Sequence, residues 1–340
     1  AGIARARLAD YPTRQADSTA RGRVRGLGLA MCIETAGGMW GRRGNDFSNV
    51  TLNGDGTIAV TAGAFSAGQG IETALIDLAA EGFGIAPDRI RYTQGDTDVF
   101  AKGGGMGGSG AMVKCGSALK IAVETVLAEA KELAEEELEA HVADIEYAEG
   151  VFRVAGTDKE VPLDQIARVA AERGIPLHAI GEFSPEAPTF PNGCHICEVE
   201  LDPETGQFDI LSYTGVEDIG RVLEHQIAEG QVQGGVAQAL GQIFLEEISY
   251  AAGDGQLLTG SFMDYAMPRA NDLPQYDCGF YEVATGINPL GVKGVGEAGS
   301  VGGLAAGMSA VLDALSQVGV TDFAMPATPG RVWTAIQAAR

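Results

Sequence analysis

The feature that most constrains this chain is residues 291–300 (GVKGVGEAGS), which hold four glycines, one lysine and one carboxylate. Glycine permits positive φ and lets another body approach the backbone closely. Such a run around a lone carboxylate, Glu297, predicts a tight loop that presents this carboxylate to a ligand; a mobile surface linker is the alternative. The flanks favour the ordered loop, because Pro289 stiffens its entry and residues 301–315 predict an Ala-rich buried helix.

Size and charge narrow the possible classes of protein. A chain of 340 residues predicts one large domain or two to three smaller ones, with a substantial core. Its net charge of -23 argues against nucleic acid and anionic membrane as partners. No run of 18 apolar residues occurs, so we expect no membrane span. The Arg-rich first 25 residues lack the apolar stretch of a secretory signal.

The cysteines indicate a reducing compartment. Five of them, odd in number and scattered, are typical of free thiols in a cytoplasmic protein. Cys194 and Cys197 form a CxxC pattern, but they lie in an alternating, strand-like run with no second ligand pair. We therefore interpret this pattern as a structural coincidence rather than a metal or redox site.

Two further glycine-rich stretches lie beside predicted helices. Residues 49–61 predict a hairpin, and residues 63–70 (GAFSAGQG) link it to a helix that begins near Ile71. Free N–H groups at such a helix start can bind an anion, although the stretch lacks both the Walker A and the GxGxxG spacing. Residues 103–110 are a second such stretch, followed by an amphipathic helix that includes residues 119–133.

Strands, hairpins and helices alternate irregularly along the chain, which predicts an α+β fold with mixed sheets and packed helices rather than a doubly wound parallel sheet. Residues 190–214 predict another hairpin and residues 224–247 a glycine- and glutamine-containing helix. We expect three segments: an N-terminal connector at 1–22, a subdomain at 23–188, and a second subdomain at 189–340 that carries the glutamate loop.

Four stretches in this order resemble one family: GAFSAGQG (63–70), GQVQGGVAQALG (230–241), GSFMDYAMP (260–268) and GVKGVGEAG (291–299). Together they resemble the molybdenum-binding subunit of the xanthine dehydrogenase / aldehyde oxidase family, close to the carbon monoxide dehydrogenase large-subunit type. The resemblance runs from about residue 21 to the end of the sequence. It covers only the second half of the family subunit, so we expect the second half of that molybdopterin-binding fold.

The resemblance implies a molybdenum ion held by the dithiolene of molybdopterin, often the cytosine dinucleotide form, with no protein metal ligand. It implies hydroxylation of a N-heteroaromatic or aldehyde carbon with oxygen from water. Glu297 matches the catalytic glutamate, the general base, whose pKa a water-shielded loop would raise. Gln69 matches the glutamine beside the apical oxo group, and Gln238 a pterin contact. The cofactor-binding residues implied are Gly68, Gln69, Gly70, Gly108, Ser109, Gly110, Ala111, Met112, Gln238 and Gly296.

One departure concerns residues 108–112, which read Gly-Ser-Gly-Ala-Met where close family members read Gly-Ser-Arg-Ser-Thr. The arginine and two hydroxyl groups are missing, so we expect mainly backbone contacts to the cofactor there. The second departure is the missing first half of the subunit.

The missing half and the lack of clustered cysteines or a nucleotide fingerprint imply partners. We expect the N-terminal half as a separate chain or missing segment, an Fe-S subunit, an FAD subunit and a small-molecule substrate. Their interface should exceed about 2,000 Å², and the chain alone should be metal-free and inactive. The alternatives are a non-catalytic cofactor-scaffold or assembly subunit and a carbon monoxide dehydrogenase-type subunit.

Overall fold

The computed structural model describes residues 1–37 and 44–340. The chain divides into two compact units. The first unit contains Ala1–Glu34, Phe190–Val283 and Val295–Arg340, and the second contains Thr35–Thr189 and Ala284–Gly294. Each unit combines sheet and helices, which confirms the predicted α+β class.

The predicted hairpins and long helices are all present, with ends within a few residues of those expected. The strands are β1 (Val24–Ile33), β2 (Asp46–Leu52), β3 (Ile58–Ala62), β4 (Ile90–Thr93), β5 (Ile145–Ala148), β6 (Val151–Val154), β7 (Glu160–Pro162), β8 (Leu177–Phe183), β9 (Asn192–Leu201), β10 (Phe208–Asp218) and β11 (Tyr276–Phe280). The α-helices are α1 (Gly2–Arg5), α2 (Tyr11–Ala20), α3 (Ile71–Phe83), α4 (Ser117–Leu138), α5 (Leu163–Arg173), α6 (His225–Phe244), α7 (Ala298–Ser316) and α8 (Pro329–Ala339).

The first unit is built on a four-stranded sheet in the order β1-β9-β10-β11. The β9–β10 hairpin is antiparallel, whereas β10 and β11 run parallel. Helix α7 packs directly on β1, because a Cβ added at Gly28 would lie 1.9 Å from the Ala306 carbonyl oxygen. Only glycine on the strand and small residues on the helix allow this approach, which explains the Ala- and Gly-rich composition of α7.

Helix α7 is apolar, and many of its side chains are small. Of the helices in the described residues, α7 is the one that is long enough and apolar enough to cross a membrane, with a mean hydropathy of 1.3. Within this fold 56% of that stretch is buried, and Ala306, Ala310 and Ala314 are fully buried in the core. Its apolar character is therefore that of a core helix.

The second unit contains a four-stranded sheet in the order β4-β3-β2-β8 and a three-stranded sheet in the order β5-β6-β7. Helices α3 and α4 pack against the four-stranded sheet. At Gly181 on β8, an added Cβ would lie 1.9 Å from the Ala118 carbonyl oxygen of α4, so helix and strand meet at backbone distance here as well.

The N-terminal segment differs from the expected connector. Residues 1–22 form α1 and α2 and belong to the first unit. Arg14 donates through Nε to Glu198 Oε2 at 3.1 Å, and Arg25 Nη1 lies 2.7 Å from the same oxygen. Because buried Glu198 on β9 holds both guanidinium groups, ion pairing rather than an apolar stripe attaches α2, and hydropathy periodicity could not reveal it.

The boundaries of the units also differ from the expected segments. One boundary, between Thr189 and Phe190, lies beside the expected division at residue 188. The glutamate loop, however, is divided, with Ala284–Gly294 in the second unit and Val295 onward in the first. A linear division could not anticipate this, because the chain returns to the second unit for only eleven residues.

Candidate functional site

One candidate region lies in the second unit, where two glycine-rich segments touch. Residues 63–70 follow β3 and residues 103–110 precede α4; we call them the loop pair. A Cβ added at Gly63 would lie 2.6 Å from the Gly103 Cα and 2.1 Å from Asp46 Oδ1. The loop pair is therefore packed backbone on backbone, at a position that excludes any side chain.

The first loop ends in two residues with left-handed geometry, Gly68 (φ 109°) and Gly70 (φ 81°), and Gly70 is the N-cap of α3. Gln94 fastens this loop to the sheet: its Oε1 accepts from the Ser66 N–H at 2.6 Å, and its Nε2 donates to the Ser66 carbonyl at 3.1 Å. The first N–H groups of α3 have no partner within the helix, and a helix start of this kind can bind an anionic group.

Gln69, predicted beside the cofactor, is half-buried and held by its own unit. Its Oε1 accepts from the Ala67 N–H at 2.5 Å, while its Nε2 donates to the Phe65 carbonyl at 3.2 Å and lies 2.6 Å from Met106 Sδ. Contact with a ligand would therefore exchange one of these bonds for another.

The second loop carries a buried hydroxyl without a partner. Ser109 adopts left-handed geometry (φ 52°) beside Gly108 (φ 65°), and the Gly37 N–H donates to the Gly108 carbonyl at 2.9 Å. Among the described residues, Ser109 Oγ is buried and has no hydrogen-bond partner, an arrangement that costs free energy unless a ligand or water satisfies it. Gly110 and Ala111 are buried, and Met112 opens a π-helical turn before α4.

A buried carboxyl group lies beneath the loop pair. Asp46 Oδ1 accepts from the N–H groups of Phe47 at 2.9 Å and Gly104 at 3.1 Å, whereas Oδ2 is buried without a partner. Burial raises the pKa of Asp46, and the two N–H donors and the Lys114 charge oppose that shift. Among the described residues, the Ser109 hydroxyl and Asp46 Oδ2 are thus buried polar atoms without a partner, as expected where a polar ligand binds.

A separate candidate region lies in the first unit. Glu297 is the N-cap of α7; its carbonyl accepts from the Ser300 and Val301 N–H groups at 3.1 and 3.0 Å, and its carboxylate makes no capping bond. The side chain is exposed, as is Gly296. The predicted shielding of Glu297 from water is therefore not supplied by the described part of this chain.

The position of Glu297 is fixed by a helix crossing. A Cβ added at Gly299 would lie 2.1 Å from the Val232 carbonyl oxygen, and one at Gly235 would lie 2.8 Å from the Ser300 nitrogen. Helices α6 and α7 therefore meet at backbone distance immediately after Glu297. Gln238, the predicted pterin contact, follows Gly235 on α6 by one turn and is exposed.

Two further carboxyl groups accompany Glu297, and our sequence reasoning missed both. Glu34 follows β1, and its backbone N–H donates to the Pro191 carbonyl at 2.9 Å; Glu217 is on β10 and buried. We call Glu34, Glu217 and Glu297 the carboxylate cluster. Burial first, and then the charges of Glu297 and Glu217, raise the pKa of Glu34 to about 7.

Glu217 anchors a buried chain of hydrogen bonds. It contacts His195 Nε2 through Oε1, and His195 Nδ1 lies 2.7 Å from the Tyr213 hydroxyl. Burial raises the pKa of Tyr213 far above its ordinary value, so its hydroxyl stays protonated and donates to Nδ1. With Nδ1 as the acceptor of that bond, Nε2 carries a proton and donates it to Glu217 Oε1.

Glycines make room for these hydrogen-bonded side chains. A Cβ at Gly302 on α7 would lie 2.0 Å from the His195 ring, and one at Gly193 would lie 2.2 Å from Glu217 Oε2. Cys32 lies within 4.8 Å of the ligand atoms of His195 and Glu217. Burial raises the pKa of the Cys32 thiol to about 12, so it remains neutral, and we assign no metal to this group because His195 and Glu217 already bond each other.

The CxxC cysteines fall on opposite sides of β9. Cys197 is fully buried in the core and Cys194 is half-buried, as expected for strand positions that differ by an odd number. The alternation of β9 alone could have indicated that His195 points to the same side as Cys197, but not which groups it would meet there.

Residues 4–274 match the molybdopterin cofactor-binding domain family. The chain belongs to this family. The match confirms the resemblance to molybdenum-binding subunits that the four stretches indicated.

Several relatives of the family are similar over nearly the whole chain. The gamma subunit of the 6-hydroxypseudooxynicotine dehydrogenase complex of Paenarthrobacter nicotinovorans is 36% identical over 327 residues, which are 94% of this chain and 40% of that protein. The carbon monoxide dehydrogenase large chain of Afipia carboxidovorans is 30% identical over 294 residues, 85% of this chain and 36% of that protein.

Among solved structures, quinoline 2-oxidoreductase from Pseudomonas putida 86 superimposes with a TM-score of 0.91 at 31% identity, covering 100% of this chain and 45% of that one. The family fold is thus confirmed over the full chain. The chain spans less than half the length of these relatives.

Proposed function

We propose that this chain is the C-terminal half of the molybdenum-binding subunit of a molybdenum hydroxylase, either as a segment of a large subunit or as a separate subunit of a split enzyme. It would hydroxylate a N-heteroaromatic or aldehyde carbon with oxygen from water. The observation that carries this proposal is the loop pair around the partnerless Ser109 hydroxyl in a chain of the molybdopterin-binding family.

The loop pair would hold the cofactor mainly through backbone groups. Gly68 and Gly70 allow close approach, the free N–H groups of α3 suit an anionic group, and Ser109 Oγ gains the partner that it lacks. Gln69 would contribute its amide, and Gly110, Ala111 and Met112 their backbone. When bound, the molybdenum–pterin cofactor supplies the redox chemistry and activates oxygen drawn from water.

Glu297 would act as the general base. Its carboxylate is exposed and does not cap its own helix, so it is free to take a proton from a group brought in front of α7. The crossing at Gly235 and Gly299 holds it in place, and Gly296 and Gln238 would contact the cofactor beside it. Exclusion of water, which favours proton transfer at this carboxylate, would come from the rest of the enzyme.

The other components follow from the relatives. One is the subunit of a complex and another is a large chain, which supports a hetero-oligomeric enzyme; we expect it to be cytoplasmic. The N-terminal half would complete the pocket, and Fe-S and FAD subunits would take the electrons. The molybdopterin cytosine dinucleotide is the cofactor form that we expect.

The test is purification of the native assembly under anaerobic conditions, followed by assay of molybdenum, pterin, released cytidine monophosphate, iron and flavin. Turnover of a panel of N-heteroaromatic compounds and aldehydes in ¹⁸O-labelled water should place ¹⁸O in the product. An assembly that contains no molybdenum or pterin would refute the proposal and favour the scaffold function. An assembly that oxidises only carbon monoxide would favour the carbon monoxide dehydrogenase type.

A matched test uses the 340-residue chain expressed by itself. It should contain neither metal nor pterin and should not reduce dyes, because it spans less than half the length of its relatives. A metal-loaded, active chain on its own would show that no partner is needed.

A further inference from the structure

The second glycine loop, residues 103–110, lies over a buried lysine. Lys114 is only 6% exposed; it belongs to the π-helical turn that precedes α4, and its backbone N–H donates to the Gly110 carbonyl at 3.0 Å. The four family stretches do not include it. A buried ammonium group is unfavourable unless anionic groups accompany it, so the surroundings of this side chain decide what it can bind.

The side chain of Lys114 runs back along the second loop, since side chains at a helix start point toward its N-terminus. A Cβ added at Gly110 would lie 3.0 Å from Lys114 Cε, and one added at Gly104 would lie 3.4 Å from Lys114 Nζ. The stem therefore passes Gly110, and the ammonium group ends beside Gly104. Because Gly104 is exposed, no side chain at this position shields the ammonium group from a ligand on the loop.

Glycine at position 110 is explained by space rather than by backbone conformation. Gly110 does not have positive φ, unlike Gly108. The place of its Cβ is surrounded by Lys114 Cε at 3.0 Å and by the Gly107 carbonyl oxygen and the Gly37 carbonyl carbon, both at 3.3 Å. Close members of the family have an arginine at this position. Lys114 thus fills the space beside Gly110 and brings a positive charge to the same loop.

Asp46 provides a balancing negative charge within the second unit. Asp46 Oδ2 and Lys114 Nζ each lie 3.4 Å from the place of a Gly104 Cβ, and Asp46 is fully buried. Its Oδ1 accepts from the N–H groups of Phe47 and Gly104, whereas Oδ2 has no hydrogen-bond partner in the described ranges. Asp46 therefore compensates the charge of Lys114 without accepting its N–H groups at Oδ2.

We propose that Lys114 binds a phosphate group at the second glycine loop and takes the place of a side chain at position 110. A lysine ammonium group binds phosphate as a point charge, and the glycines let the phosphate oxygens approach the backbone. The Ser109 hydroxyl, which has no partner among the described residues, can donate to the same group. That the phosphate belongs to the pterin cofactor rests on the proposed function; the affinity of the loop for phosphate does not.

The first experiment measures phosphate binding without the cofactor, in the assembly produced by cells that cannot make molybdopterin. Inorganic pyrophosphate should raise the thermal midpoint of the wild type, because a ligand that binds the folded state stabilises it. Lys114→Met keeps most of the stem and removes the charge, so it should lose this rise. The control Lys120→Met removes an exposed lysine of α4 that pairs with Glu124, and it should keep the rise.

An equal rise in Lys114→Met and wild type, or no rise in the wild type, would overturn the proposal. Removal of one charge from a buried pair can itself destabilise the fold. The double variant Asp46→Asn/Lys114→Met removes both charges and should fold, yet it should still not respond to pyrophosphate. A response in this variant would show that Lys114 serves only as the counter-charge of Asp46.

The second experiment moves the charge. Gly110→Arg/Lys114→Ala empties the space beside position 110 and supplies the charge from that position, so it should restore the response to pyrophosphate that Lys114→Met loses. A folded double variant without the response would contradict the proposed equivalence of the two positions.

The third experiment connects the site to the cofactor. In the assembly that contains pterin, Lys114→Met should release it roughly 10- to 100-fold faster than wild type, because a hydrogen bond to a charged group is lost; Lys120→Met should release it at the wild-type rate. Unchanged release in Lys114→Met would refute the proposal and leave the proposed function intact. If pyrophosphate binds as expected but the wild-type assembly never contains pterin, the proposed function fails and the phosphate site stands.

Discussion

The loop pair of the second unit and the carboxylate cluster of the first are built in different ways. In the loop pair, Gly63 and Gly103 meet at distances that exclude a side chain, and the groups offered to a ligand are N–H groups and one hydroxyl. In the carboxylate cluster, the backbone makes room at Gly193 and Gly302 for charged and ring side chains. Shape therefore dominates in the first region and charge in the second.

The difference indicates what each region can tolerate. The loop pair should respond strongly to added volume and weakly to pH, whereas the carboxylate cluster should respond to isosteric changes of charge. This fits a division of labour in which one region holds a cofactor and the other moves a proton.

Glu297→Gln should have the largest effect, because it keeps the shape of the side chain and removes the base. Loss of a general base lowers the rate by about 10²–10⁴-fold, while molybdenum content should stay near the wild-type value. Turnover and metal content of the same preparation are the measurements. A metal-loaded variant with nearly normal turnover would show that Glu297 is only a surface carboxylate.

Gln69→Ala and Gln238→Ala should each lower cofactor occupancy, because polar groups of the cofactor would be left unpaired at roughly 1–3 kcal/mol each. Gln69 also accepts from the Ala67 N–H, so its replacement should loosen the loop as well. We therefore expect a larger fall in cofactor occupancy for Gln69→Ala than for Gln238→Ala. Pterin content after gel filtration measures both. If both variants keep full occupancy and activity, the amides serve only in packing.

Gly63→Ala should destabilise the second unit, because the new Cβ would lie 2.1 Å from Asp46 Oδ1. Overpacking of this kind costs about 1–3 kcal/mol. The matched control is Gly234→Ala on α6, where no atom lies within 4 Å and helix propensity favours alanine. Thermal unfolding should show a lower midpoint for the first variant only; equal midpoints would mean that the loop pair is not tightly packed.

Ser109→Ala should have different effects on the protein without cofactor and on the protein with cofactor bound. Without cofactor the variant loses a buried hydroxyl that has no partner in the described ranges 1–37 and 44–340, so it should be as stable as wild type or slightly more stable. With cofactor it loses a hydrogen bond of about 0.5–1.5 kcal/mol, and pterin should dissociate more readily. Identical pterin retention in both proteins would remove Ser109 from the binding site.

Glu34→Gln should alter the pH dependence of stability. The pKa of Glu34 is about 7 in the folded protein, against an ordinary value of 4.5, so between these values the folded state holds more protons than the unfolded state. The free energy of unfolding of the wild type should therefore fall across this range as the pH rises. Glutamine does not ionise, so the variant should gain stability relative to wild type from pH 5 to pH 8.

Thermal midpoints at pH 5, 6, 7 and 8 measure this gain, with Glu204→Gln as the control. A constant difference between Glu34→Gln and wild type at every pH would mean that Glu34 has an ordinary pKa. This effect should be the smallest of the five, because Glu34 is only half-buried and solvent screens part of its interactions.

Much of the fold was available from the sequence. Period-two and helical patterns predicted the β2–β3 and β9–β10 hairpins and the helices α3, α4, α6 and α7, because these elements bury one face each. Helix α2 was missed, since it is attached by Arg14 and Arg25 to the buried Glu198 rather than by an apolar stripe. Local hydropathy does not register an ion pair between residues so distant in the chain.

The sequence by itself determined the family, the glycine loops and Glu297, because these depend on residue types at short spacing. Only the tertiary structure decided the partners of Glu297. Glu34 and Glu217 are separated from it by 263 and 80 positions (297 − 34 and 297 − 217), and no spacing rule links them. Their interaction depends on the order of the strands in the sheet and on the close packing of α7 against β1. The reason is that the electrostatic energy between two carboxyl groups depends on their distance in space.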